Sequence, residues 1–212
     1  MQTLFSPDSK FMQAMNRISD LILLNLFFLF SCIPVFTIGA AATAMYTVCF
    51  RLGTPREQGV FKSYFRAFRE NFRQGTALWL IFLVCGGSAL LNIRLFSQLP
   101  GIARYGFYLF AVLLALAVLI AGYVFPLLSQ FSNDIRTTFK NGLILSIAYL
   151  PRSLLIALVN VFPFAVLVLD LYLFLQTGFL WIALYFSAAA YLNTLLLKKV
   201  FAPYMPEDEP AE

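Results

Sequence analysis

Two sets of side chains in this sequence could do chemistry. The first is a basic stripe, Lys62, Arg66, Arg69 and Arg73, spaced in steps of three and four so that the cations share one side of a helix. Phe61, Tyr64, Phe65, Phe68 and Phe72 fall on a second face roughly 100° round the cylinder. Such a surface holds anionic headgroups or an acidic partner; it does not make or break bonds. The second set is Asn25, Pro34, Thr37 and Gly39, polar and helix-breaking positions inside an apolar run. Backbone left unpaired at membrane depth lines a cavity or is covered by protein, so these four are a candidate intramembrane polar site. The competing reading is a packing kink, with the freed carbonyl taken by Thr37 or a neighbouring helix, and with Gly39 and the small residues at 40–44 allowing close approach.

Catalytic constellations are missing. The chain has no His, no phosphate-binding glycine loop and no GxSxG, and its apolar blocks hold no pair of acids that could divide acid and base roles. Asp20 and Asp170 sit at the ends of apolar runs. Cys32, Cys49 and Cys85 have neither CxxC nor zinc spacing and read as buried thiols. The expectation is therefore no enzyme, no catalytic residue, no cofactor and no metal.

The elements that position these residues follow from composition. With 61% hydrophobic and 12% charged residues among 212, and a mean hydropathy of +0.82, the chain is an integral membrane protein. The fold class expected is all-α: a polytopic helical membrane protein with about five transmembrane helices in a single domain, 1–212. The spans read as 21–50, 76–93, 105–128, 143–169 and 179–197. The first carries no charge over thirty residues and is kinked at Pro34 to Gly39, because proline removes a helical donor and clashes with the preceding turn. A re-entrant hairpin in this block would have arms of about 13 and 11 residues, each shorter than a crossing needs, so a single crossing is expected. The N-terminal stretch lacks a basic lead and a small-residue cleavage site, so it reads as retained; Asp8 or Ser9 can cap its helix.

Residues 51–75 form the one long polar interruption, a cytosolic amphipathic segment holding six of the fifteen Lys and Arg residues. Arg136, Lys140, Lys198 and Lys199 add to the same side, which places the C-terminus inside and, for five spans, the N-terminus outside. The tail, 205–212, is acidic and reads as disordered. A pI near 9.2 in this setting points to topology and anionic lipid rather than to nucleic acid. Arg152 reads as a cytosolic flank if Pro151 marks the interface, and as an intramembrane charge if the fourth span begins at 143. Asn92, Asn160 and Asn193 read as helix-to-helix hydrogen bonders or span ends.

Residues 68–75, FRENFRQG, are echoed by 135–142, IRTTFKNG: apolar, Arg, two variable positions, Phe, basic, amide, Gly. Both copies enter spans of the same direction, which points to a parallel pseudo-repeat of helical hairpins. The candidate cytosolic docking surface is then Lys62, Arg66, Arg69, Arg73, Arg136, Lys140 and Arg152, with the two copies acting together.

The order LLNLFFLFSCIPVFTIGAAATAMYTV, FKSYFRAFRENFRQG, YVFPLLSQF and FKNGLIL resembles the YesL-like family of small bacterial membrane proteins of unknown function, over nearly the whole chain. Residues 25–39, with an I-P-x-x-T-I-G core, are the most specific part. The resemblance implies a multi-pass protein of the bacterial plasma membrane whose genes lie near sugar-importing ABC transporters and polysaccharide-degrading enzymes. It implies an accessory or assembly role in carbohydrate uptake and supplies no catalytic residues. The expected partners are the lipid bilayer and a sugar transporter complex or other membrane protein. The alternatives are a small transporter or channel, and a membrane sensor or regulator subunit.

Overall fold

A computed structural model of the chain describes residues 10–54 and 59–204. The acidic tail, the capping residues Asp8 and Ser9, and Arg56 and Glu57 of the basic segment lie outside the described residues. Among the described residues every regular element is helical, and five helices are long and apolar enough to cross a membrane.

Helix α1 (Lys10–Ser31) ends where Pro34 can no longer donate. A single 3-10 turn, Val35–Thr37, follows, and then α2 (Ile38–Arg51). The break expected at Pro34 to Gly39 is therefore complete: it separates two helices. Thr37 closes it, its hydroxyl donating to the carbonyls of Ser31 and Pro34, the latter at 2.6 Å. The Trp79 indole takes the Val35 carbonyl at 2.8 Å. The Arg17 guanidinium lies against Gly53, beyond the end of α2, so the block leaves from and returns to one end of the bundle. The block read as one span from 21 to 50 thus folds back on itself, and α1 alone supplies its membrane-length stretch, Phe11–Ser31. The short second arm is tolerated because α2 is wrapped by protein: at 14 residues it is too short to span, and all of it except Ile38, Ala42 and Arg51 is buried.

Helix α2 is the centre of the bundle. It packs against α3 (Val60–Ser97), α4 (Tyr105–Gln130) and α9 (Phe186–Phe201). A Cβ on Gly75 of α3 would fall 2.8 Å from the Ala40 Cα, so only glycine lets these backbones touch. Helix α3 joins the basic segment and the second span without interruption. At 38 residues it is about 57 Å long, against about 30 Å of hydrocarbon, so its basic first third must lie beyond the membrane core. Helix α4 runs back antiparallel to it, with Phe110 stacked on Phe96 at one end and the Phe125 ring tilted against Phe82 nearer the other.

After a turn at 131–134 the chain reverses into α5 (Ile135–Ala148) and α6 (Leu150–Leu169), separated at Tyr149. Pro151 explains the separation, since it has no N–H to continue the ladder and disfavours helical geometry before it. The fourth membrane-length helix therefore begins at Leu150, not 143. Short α7 (Leu171–Gln176), one turn α8 (Gly178–Leu180) and a π-helical turn (Trp181–Tyr185) lead into α9, which returns alongside α6. Helices α2 and α9 run parallel: Tyr46 reaches Asn193, and Phe50 stacks on Phe201 further along both.

Candidate functional site

The C-terminal turn of α4 comes down beside residues 70–74 of α3, and the chain leaves that turn into α5. The turn and that stretch of α3 enclose an open groove of about 670 Å³, lined on one side by Glu70, Asn71, Arg73 and Gln74 and on the other by the chain from Leu128 to Asp134. Its local order comes from short side chains bonded to their own backbone. Ser129 donates to the Pro126 carbonyl at 2.7 Å, and Thr138 donates to the Asp134 carbonyl at 2.9 Å. Thr137 beside Asp134 holds that carboxyl below its usual range. The groove thus offers one arginine, two carboxylates and several amides and hydroxyls to a polar peptide.

Around the groove, Lys62, Arg66, Arg69 and Arg73 are exposed along α3. Arg66 is tied to Glu70 at 2.9 Å, an exposed pair one helical turn apart. Arg136 and Lys140 are exposed on α5, with Phe139 between them against Phe82 of α3. The α5 motif thus touches α3 about two turns beyond the α3 motif. Their equivalence holds at the glycines: Gly75 crosses α2 at Ala40, and a Cβ on Gly142 would fall 2.7 Å from Val124 Cγ2 of α4. It fails at the aromatics, because Phe72 is exposed and packs only on its own helix neighbour Phe68.

Arg152 does not belong to this surface. It lies in the first turn of α6, half-buried, with its guanidinium 5.4 Å from the centre of the Tyr149 ring. Ser153 beside it meets the Tyr123 hydroxyl at 3.1 Å, and Tyr123 sits seven residues before the end of α4, about 10 Å into that span. The fourth membrane-length helix begins at Leu150, so Arg152 sits in its first turn with its charge beside an aromatic ring.

The four residues of the candidate polar site are not brought together. Pro34, Thr37 and Gly39 form the break and its crossing with α3. Asn25 faces elsewhere: its amide donates to the carbonyls of Trp181 and Ile182 at 3.1 and 2.6 Å, and its carbonyl accepts the Ser187 N–H at 3.0 Å. These are the groups that a π turn leaves without a regular helical partner. Ser187 answers by donating to the Leu21 carbonyl at 2.7 Å.

A buried cluster joins α2, α6 and α9. Asn193 donates to Asn160 at 2.9 Å and to the Tyr46 hydroxyl at 3.2 Å. Asn160 and Asn193 are helix-to-helix bonders, whereas Asn92 bonds only within its own helix, to Ser88 at 2.8 Å. Tyr46, Tyr123 and Ser153 were not singled out from the sequence; a polar atom inside an apolar run was the one available signal, and it does not name its partner.

A family model described as a protein of unknown function, DUF624, matches residues 21–93, which take in the second half of α1, the break, α2 and α3 through its membrane stretch. Neither the curated proteins nor the solved structures contain a match to the chain.

Proposed function

We propose that this chain is a non-enzymatic accessory subunit of the bacterial plasma membrane that docks a partner membrane protein at its basic end. The observation that carries the reading is the groove between residues 70–74 of α3 and the turn at 128–134 that leads into α5, with exposed cations on both helices. A polar groove with charges of both signs, rimmed by exposed cations, suits a charged peptide segment and sets orientation and partner choice more than raw affinity. The resemblance to the YesL-like family makes the partner a sugar importer of the ABC class, and the DUF624 match over the first three helices is compatible with that assignment.

A small transporter is the second reading, and the interrupted α1–α2 block is the feature that favours it. It ranks lower because the hydroxyls of α2 are already engaged: Thr43 bonds the Gly39 carbonyl and Thr47 the Thr43 carbonyl, each at 2.9 Å.

The test is co-purification from bacterial membranes in mild detergent. The wild-type chain is expected to bring down the membrane subunits of a sugar importer. Arg69→Gln with Arg73→Gln is expected to lose them without loss of the purified chain. Recovery of the same subunits by both proteins would leave the basic end as a topology signal only.

A further inference from the structure

An apolar channel on the outside of the bundle ends at cations. Between α3 and α4 runs a groove of about 350 Å³, lined by Cys85, Gly86 and Ala89 on one side and by Leu113 and Ala117 on the other, and reaching Phe139. Ser88, its one polar side chain, is spent on the Cys85 carbonyl at 3.1 Å. A second hollow of about 260 Å³ shares Ile81 and Phe139 with it and is closed by Ile135 and Arg136. The two lie side by side along α3, apolar in lining, with Arg136 at the edge of the second. Lys140 lies one turn beyond Arg136, and neither makes an ion pair among the described residues. The carboxylates nearest to them in the chain and along the groove rim are Asp134, at the start of α5, and Glu70, which is paired with Arg66.

We infer that this channel binds one anionic glycerophospholipid, with an acyl chain between α3 and α4 and its phosphate on Arg136 and Lys140. The length fits. From Leu78 to Ala89 the groove follows α3 for about 16 Å, half of the roughly 30 Å hydrocarbon core, which is the depth of one leaflet. The charge selects this occupant over a second copy, because two chains meeting by the same face would bring like cations together. Basic pockets between membrane helices are the places where anionic headgroups are held. Glycine at 86 leaves the groove open: a Cβ there meets nothing nearer than Leu114 Cδ1 at 4.0 Å, so a larger side chain would fill the channel without disturbing the helices. Gly87 has nothing within 4 Å and does not line the channel, which makes it the matched control.

The experiment uses the full chain in mild detergent with dioleoylphosphatidylglycerol or dioleoylphosphatidylcholine, reading lipid retained by native mass spectrometry and the shift in thermal midpoint. The wild type is expected to retain one phosphatidylglycerol and to be stabilised by it over phosphatidylcholine. Arg136→Gln with Lys140→Gln should weaken retention about tenfold or more. Gly86→Leu should abolish it with every charge in place, whereas Gly87→Leu and the charge-matched Lys62→Gln with Arg69→Gln should retain it. Undiminished retention by the Arg136/Lys140 variant or by Gly86→Leu overturns the proposal. Equal weakening by both charge pairs overturns it in favour of diffuse attraction, and a dimer abolished by Gly86→Leu, without lipid retention, overturns it in favour of a second copy.

Discussion

Asn25 accepts the main-chain N–H of Ser187 at 3.0 Å across 162 residues of sequence, and its amide turns to the two carbonyls behind that N–H. One side chain thus satisfies the irregular π turn and pins α1 to α9. Replacing it removes three hydrogen bonds and leaves buried main-chain groups unpaired, each costing about 1–3 kcal/mol. Asn25→Ala should therefore lower the thermal midpoint of the detergent-purified protein sharply. Ser187→Ala, which keeps the N–H bonded to Asn25, should lower it by much less; equal losses would separate Asn25 from the π turn.

The hydroxyl of Thr37 holds the break closed. Thr37→Val keeps shape but leaves the Ser31 and Pro34 carbonyls without that donor, and should cost about 1–3 kcal/mol. Unfolding monitored by tryptophan fluorescence reads this directly, since Trp79 bonds the same turn. A variant as stable as the wild type but inactive in partner recovery would instead make Thr37 a contact residue.

Gly75→Leu should prevent assembly, because the crossing at Ala40 has no room even for a Cβ. Gly87→Leu, in the same helix, should express and run as a single species on size exclusion. Comparable yields from both would remove the α2–α3 crossing.

Asn160 and Asn193 form a pair whose coupling a double-mutant cycle can isolate. Alanine at each and at both should give about 0.6–2 kcal/mol of interaction, the range of buried hydrogen bonds between membrane helices. Additive losses would mean that each amide finds another partner.

The re-entrant block has a topological consequence. In a cysteine-free background, single cysteines at Gln13 and Ser132 should label from one side of the membrane and those at Gln98 and Gln176 from the other. Labelling of Gln13 together with Gln98 would restore a first helix that crosses alone.

Much of this protein was legible without coordinates, and for a physical reason: hydropathy, proline and charge act locally. A run without charges partitions into lipid wherever it sits, Pro34 cannot donate to any helix, and clustered arginines resist crossing. The helical class, the break before Gly39 and the basic segment follow from those facts. What the tertiary structure decided is which groups meet, because a hydrogen bond or a backbone crossing depends on residues far away in the chain. Asn25 was visible as a polar atom in an apolar run, but its partner is a π turn near the other end of the sequence. Helix α2 looked like half of a span, and it became the centre because α3, α4 and α9 cover the ends that lipid could not satisfy. Arg152 was legible as a charge beside Pro151 at a helix start; only the packing shows its guanidinium beside Tyr149 and its neighbour Ser153 on Tyr123.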